Sequence, residues 1–421
     1  MACLLLVCAA NLFFYAKWGL IYLILIPCAA TSDFFIGRAI AGTQKRIARR
    51  LLLACSLAIN IGLIISGRSG GLVLPLSLSF YAFQALTYPI DIYREDAAPS
   101  PSYIQYFASV SFFPTALAGP ITRVSSLIPQ WNWKGAALRS EEGSRALFLI
   151  GLGLAKKFLI ADYLGNNLVN RVFDLPTLYS GGDVLVAVYA YAFQLYYDFS
   201  GYSDIAIGAG LLLGIRLPAN FNAPYRAANI ADFWRRWHIS FSNWLRDYLY
   251  FSLPGPRTRF MPYVNLILTM ALGGLWHGLS WTFLIWGLLH GIGLATFRIW
   301  QVATKNRASR RTIPVAGPLL TFHFVLLTWI FFRAANVNTA LKILSQIATF
   351  RFSFDNTRPA FLIVLALGAA AHFIPKTWYE GTLANFTRTP ALVQSAALTL
   401  LLVTIQRVAA NGAAPFIYSR F

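Results

Sequence analysis

Long apolar runs separated by short polar or basic loops set the pattern of this chain. The run Trp18–Ala30 has the length of a membrane crossing, and Ala2–Ala16 forms a shorter, weaker apolar run. Leu51–Ser66 follows a basic cluster of Lys45, Arg46, Arg49 and Arg50 and ends at the glycine-rich turn Gly67–Gly71. Leu72–Ile90 is again about one crossing long. Ile104–Ile121 is apolar but holds Pro114 and the pair Gly119-Pro120, which predicts a broken or re-entrant helix. Such breaks are tolerated at membrane depth only where the segment is buried in protein or lines a cavity. Val124–Gly143 carries acidic residues with Trp131 and Trp133 and reads as a surface segment.

The second half repeats the pattern with more polar interruptions. Ser144–Leu164 is a span with Lys156 and Lys157 inside it, near Asp162. Snorkelling from a helix end and contact with an anionic ligand both account for the two lysines. Asp183–Gly214 exceeds one ordinary crossing and is interrupted by Asp198, Gly201 and Asp204, which predicts two short helices with a polar break. Its aspartates are either hydrogen-bonded for packing or part of a polar cavity. In Asp232–Leu253 the residues Phe233, Trp237, Phe241 and Trp244 recur at spacings of three to four, with Arg235, Arg236 and Arg246 among them, which describes an amphipathic helix at the interface. Tyr263–Leu275 and Ser280–Trp300 precede the basic loop Lys305, Arg307, Arg310 and Arg311. Ile313–Phe332, Ala360–Ile374 and Ala391–Ile405 are further spans.

The expected fold is all-α: one polytopic membrane domain over residues 1–421, with roughly ten to twelve apolar segments, some of them broken or re-entrant. Composition agrees. The 421 residues are 57% hydrophobic and 12% charged, with a mean hydropathy of +0.57, against about 25% charged in soluble domains. The net charge of +20 sits mainly in short loops, which points to an anionic membrane leaflet and away from nucleic acid. An anionic substrate or donor is a second partner consistent with that charge. Cys3, Cys8, Cys28 and Cys55 lie in apolar runs without metal-ligand spacing and read as packed thiols. No basic region precedes the first apolar run, so it does not read as a cleaved signal peptide.

Candidate chemistry centres on the stretch LGGLWHGLSWTFLIWGLLHG, Leu272–Gly291. Ionisable residues at membrane depth are costly and default to function. If the flanking basic loops are both cytoplasmic, the arm Tyr263–Leu275 spans roughly 20 Å as a helix, short of a hydrocarbon core of about 30 Å. His277 then lies within the bilayer. A hydrogen-bonded packing histidine is one reading of it. The other is a general base, because glycines on both sides admit a close backbone or ligand, and imidazole titrates nearest neutrality. His290, thirteen residues on, is a supporting candidate. His323 and His372 are lone residues in apolar helices and read as packing or helix–helix hydrogen bonds. His238, read alone, is interfacial. No nucleophile elbow, phosphate loop or metal-ligand pattern is present.

These stretches resemble the membrane-bound O-acyltransferase family. The resemblance rests on ADFWRRWHISFSNWLRDYLYFSL (Ala231–Leu253) followed by GGLWHG (Gly273–Gly278). It extends to LPLSLSFYAFQALTYPIDIYR (Leu74–Arg94), FFPTALAGPITR (Phe112–Arg123), AKKFLIAD (Ala155–Asp162), YYDFSGYSDIAIGAGLLLGIRLPANFNAPY (Tyr196–Tyr225) and the terminal FIYSRF. It is nearest the bacterial branch that serves alginate O-acetylation and D-alanyl transfer to teichoic acid. One departure is that the aromatic stretch resembling Phe13–Gly19 follows a further apolar segment in that branch, whereas here it begins almost at once, so the N-terminal spans are the least constrained.

The resemblance implies a helical membrane core enclosing a tunnel, with His277 as the essential histidine and His238 as the second polar position. His290 recurs in the alginate-type branch. The implied activity is transfer of an acyl group, foremost acetyl, from a cytoplasmic thioester donor such as acetyl-CoA. The implied acceptor is a hydroxyl of an exported polysaccharide or an extracytoplasmic partner acyltransferase. Nothing is bound permanently. Arg235, Arg236, Lys156 and Lys157 are candidates for attracting the anionic donor, and the implied location is the bacterial inner membrane. A lipid-linked glycan flippase shares the basic, polytopic, broken-helix character but has no need of the RWH and WHG pair. A non-catalytic scaffold of an acylation complex is a third reading.

Overall fold

The computed structural model describes residues 2–66, 77–132, 139–255, 258–304, 315–409 and 415–416. The Gly67–Gly71 turn, the start of Leu72–Ile90, Trp133, the Lys305–Arg311 loop and all but the first residue of FIYSRF lie outside these. Every regular element among the described residues is helical. Five helices are long and apolar enough to cross a membrane: Tyr22–Gly42, Arg46–Ile65, Trp281–Ala303, Ala316–Arg333 and Ala391–Val408. Pro359–His372 and Lys376–Arg388 pass the same test together but bend by 93° at the break between them. Other apolar runs form shorter helices, such as the 17-residue Ser77–Tyr93 and Met261–His277.

The chain divides into two compact units. The first comprises residues 1–150, 202–219 and 415–421. Its core packs Tyr22–Gly42 against Arg46–Ser66 and Ser77–Tyr93 around Tyr22, Ile26, Tyr81, Tyr88 and Tyr106. Asp33 is fully buried there, and Ser56 Oγ and Asn60 Nδ2 donate to its carboxylate at 2.5 and 2.8 Å. Two adjacent apolar helices are thereby tied by polar side chains. The expected break in Ile104–Ile121 is present. The helix stops at Val110, and a short 3₁₀ turn, Phe113–Thr115, carries Pro114. Trp131 is not on the surface as its polar neighbours suggested. It is 4% exposed, and its indole donates to Ser109 Oγ at 2.7 Å. Cys3, Cys28 and Cys55 are exposed on the outward faces of apolar helices and are not packed, whereas half-buried Cys8 packs against this core as expected.

The second unit holds residues 151–201 and 220–414. Two expectations about it fail. Asp183–Gly214 is not two helices: a single helix of 32 residues, Gly181–Leu212, takes in all but its last two residues. Its aspartates find partners without a break. Thr357 Oγ1 donates to Asp183 at 2.7 Å, and the ammonium of Lys157 donates to Asp198 at 2.7 Å. Gly201 lets this helix approach the backbone near Gly153, where a Cβ would overlap the carbonyl oxygen. Asp232–Leu253, conversely, is not one interfacial helix. It breaks into Ile230–Trp234, Ile239–Trp244 and two irregular helical turns, Leu245–Leu249 and Tyr250–Ser252. Phe233, Trp237 and Phe241 are 1–2% exposed, so the aromatic stripe faces protein.

Candidate functional site

The Met261–His277 and Trp281–Ala303 helices form a tight hairpin within the second unit. Small residues make it possible. A Cβ on Gly274 would overlap the carbonyl oxygen of Phe283, and one on Gly287 that of Met270. The glycine before the WHG element therefore admits the backbone of the neighbouring helix. At 17 residues the first helix is about 25 Å long, more than its apolar core implied but still under the roughly 30 Å of a bilayer interior. Ser280 caps the second helix, its hydroxyl accepting from the Phe283 N–H.

His277 ends the first helix and is 4% exposed. Its imidazole is walled by aromatic rings. Trp276 lies at 4.5 Å, Phe332 at 4.9 Å and Trp286 at 5.2 Å between centroids, the last two edge to face. Phe241 stands 6.1 Å away and stacks on His238 at 4.9 Å. The two imidazoles singled out from the sequence are thus brought together about one phenyl ring.

His238 occupies the break between the Ile230–Trp234 and Ile239–Trp244 helices, with φ 43° and ψ 54°. A left-handed conformation in a residue with a Cβ is strained, and such strain persists only where the surroundings enforce it. Asn220 enforces it. Its side-chain oxygen accepts from His238 Nδ1 at 3.1 Å, from the Ser240 backbone N–H at 3.2 Å and from Ser240 Oγ at 2.9 Å. The backbone donor identifies that atom as the amide oxygen, so His238 must carry its proton on Nδ1 when neutral, with the lone pair on Nε2. Burial, with the nearby His277 second, pulls the His238 imidazole well below its ordinary range and favours this neutral form. Phe199 closes the other side, edge-on at 4.6 Å. Asn220 was missed in the sequence reading. Its signal was an Asn within the apolar context of LPANFNAPY, shared with Asn222.

His290 is fully buried, and Trp286 joins it to His277, its ring 4.9 Å from one imidazole and 5.2 Å from the other. Both nitrogens are committed. The Trp234 indole donates to Nδ1 at 3.2 Å. Nε2 lies 2.9 Å from Thr328 Oγ1, whose own hydroxyl donates to Val325. An indole only donates and this hydroxyl proton is spent, so His290 holds its proton on Nε2 and donates it to Thr328. His290 therefore ties the segment leading to His238 to the hairpin and to the Ala316–Arg333 helix.

Lys156 is half-buried. Lys157 is 1% exposed and pairs with Asp198 and Asp162 at 2.7 and 2.8 Å, which places it in the packing of the unit and neither snorkelling nor on an anion-binding surface. Arg235 and Arg236 remain accessible, their side chains 70% and 30% exposed, and both pair with Asp232. His323 shares a hydrogen bond with Tyr189 at 2.7 Å, and His372 accepts from the Tyr225 N–H at 3.2 Å, both in keeping with packing roles.

A helical protein with several membrane-length apolar helices and two buried imidazoles about one aromatic ring is equipped for proton transfer away from water, as membrane-embedded group transfer requires. The sequence profile of the membrane-bound O-acyltransferase family matches residues 93–335, which contain both imidazoles. The chain belongs to that family and is an O-acyltransferase. It is 38% identical to the peptidoglycan O-acetyltransferase of Helicobacter pylori, over 80% of this chain and 72% of that protein. It is 39% identical to the probable alginate O-acetylase AlgI of Azotobacter vinelandii, over 82% and 72%. The teichoic acid D-alanyltransferase of Streptococcus thermophilus is 29% identical over 61% and 68%.

Proposed function

We propose that this protein moves an acetyl group from a cytoplasmic thioester donor, acetyl-CoA, to a hydroxyl of an exported polysaccharide or of an extracytoplasmic partner acyltransferase, in a bacterial inner membrane. The observation that carries the reading is the pairing of His277 and His238 about Phe241. His277 takes the acceptor's hydroxyl proton as its oxygen attacks the thioester carbonyl. A positioned base is typically worth about 10²–10⁴-fold. His238, with its lone pair on Nε2, orients the hydroxyl. Exposed Arg235 and half-buried Arg236 attract the anionic donor from the cytoplasmic face. A tunnel through the helical core connects the two faces, so that neither substrate need cross the bilayer. The greater identity to O-acetyl-transferring relatives than to a D-alanyl-transferring one favours acetyl as the group moved.

The test uses membrane vesicles holding the full chain and radiolabelled acetyl-CoA. His277→Gln is expected to lose transfer while remaining folded in the membrane. Full transfer by that variant sinks the assignment of the base. Label arriving only from a D-alanyl carrier, and not from acetyl-CoA, replaces the acetyl reading by the D-alanyl one.

A further inference from the structure

Trp286 lies in the second turn of the Trp281–Ala303 helix, and its ring contacts both hairpin histidines. It is 1% exposed, and among the described residues its indole N–H has no hydrogen-bond partner. The ring itself is fully used. It stacks on Trp329 at 6.0 Å and 15°, meets Phe332 at 5.2 Å, and meets His277 at 5.2 Å and 89°. Of the two imidazoles it touches, His290 has both nitrogens occupied by Trp234 and Thr328. Packing thus accounts for every part of this side chain except its one polar atom.

Buried donors without partners are rare, because desolvating an N–H and leaving it unpaired is unfavourable. An apolar bicycle of the same shape would fill this space with no such cost. An unpaired donor beside an acid–base residue, in a water-excluded setting, is the arrangement that stabilises charge developing on a substrate oxygen.

We propose that the indole N–H of Trp286 donates to the carbonyl oxygen of the acyl group during transfer, which makes Trp286 a catalytic residue. This rests on His277 being the base. The acceptor oxygen bonds to the carbonyl carbon while its proton passes to His277, and the carbonyl π pair moves onto oxygen, where Trp286 meets it. The pair then returns and the C–S bond breaks. The sulfur leaves with that bond's electrons and takes the proton back from the imidazolium. The N–H···O bond is strongest while the oxygen bears charge, so it acts on the rate more than on donor binding.

The test replaces Trp286 in the full-length, membrane-embedded protein by benzothienylalanine, which keeps the bicyclic shape and exchanges N–H for sulfur. The expected result is a kcat lowered about 10²–10³-fold, the loss typical of removing one such donor, with KM for the thioester, heat survival and the midpoint of the pH–rate profile unchanged. A wild-type kcat overturns the proposal. So does a shifted pH midpoint, since the N–H would then be acting through His277. If the isostere does not fold, Trp286→His and Trp286→Phe decide the matter: the former keeps a ring N–H and should transfer faster, and equal rates overturn the proposal. Full transfer by His277→Gln would instead sink the underlying reading of the base and leaves a distinct signature from either result.

Discussion

Replacing Lys157 by methionine keeps the length of the side chain and removes a charge that two carboxylates share. Lys157, Asp198 and Asp162 have side chains 2%, 2% and 11% exposed, with the ammonium 2.7 and 2.8 Å from the two oxygens. The variant leaves two carboxylates facing each other in a medium that solvates neither. Removing one partner of a buried ion pair costs about 3–5 kcal/mol, most of it the penalty of the charge left behind. Neutralising the whole cluster is a different perturbation, because no buried charge survives it. Lys157→Met combined with Asp162→Asn and Asp198→Asn should therefore recover most of the loss. The assay is the fraction of detergent-solubilised protein that stays monodisperse after heating, followed for wild type, single and triple variants. A single variant that survives heating like wild type refutes the reasoning, as does a triple variant no better than the single. The triple variant should also keep the wild-type KM for the thioester. A raised KM would return Lys157 to donor binding.

Three further outcomes follow from the geometry. Asn220→Ala removes the amide oxygen that accepts from His238 Nδ1 and is itself held by Ser240, and misplacement of about 1 Å costs about 10²-fold in transfer rate; initial rates in vesicles check this, and an unchanged rate removes Asn220 from the site. His290→Gln, which keeps one donor and one acceptor, should retain much of the transfer that His277→Gln loses, while His290→Phe leaves the Trp234 indole unpaired and costs about 1–3 kcal/mol of stability in the same heating assay; an inactive His290→Gln protein that is fully folded would show proton chemistry at His290. Gly274→Ala drives a methyl into the Phe283 carbonyl oxygen, and the overpacking should cost about 1–3 kcal/mol, read as loss of heat survival, whereas Gly255→Ala, with open space around its Cβ position, should be neutral.

The helical membrane class was legible in the spacing of apolar runs, and so was the break near Pro114, because both follow from local sequence. What was not legible was which polar residues inside an apolar run would interrupt it. Asp198 looked like a reason for a break in Asp183–Gly214, yet the helix runs on through it. Its partner, Lys157, lies 41 residues earlier, and no periodicity within the run reveals a partner supplied from another helix. The opposite error occurred at Asp232–Leu253. The aromatic spacing there matches a helix on both sides of His238, and nothing in that spacing announces the left-handed residue that splits it. The aromatic stripe was real, but it faces protein and not lipid.

The histidines show why residue type and spacing stop short of role. His277, His238 and His290 share an apolar, aromatic setting, and composition alone treats them alike. Their hydrogen-bond partners separate them. His290 spends one nitrogen on an indole that can only donate and the other on a hydroxyl whose proton is already given away, so its tautomer and its structural role are set together. His238 is held through Nδ1 by an amide oxygen, which turns its basic nitrogen, Nε2, to the side opposite Asn220. The same logic applied to Trp286 yields a donor that packing does not use, beside the histidine the family resemblance makes essential. The buried N–H of Trp286 is thereby assigned to the oxygen of the group the enzyme transfers.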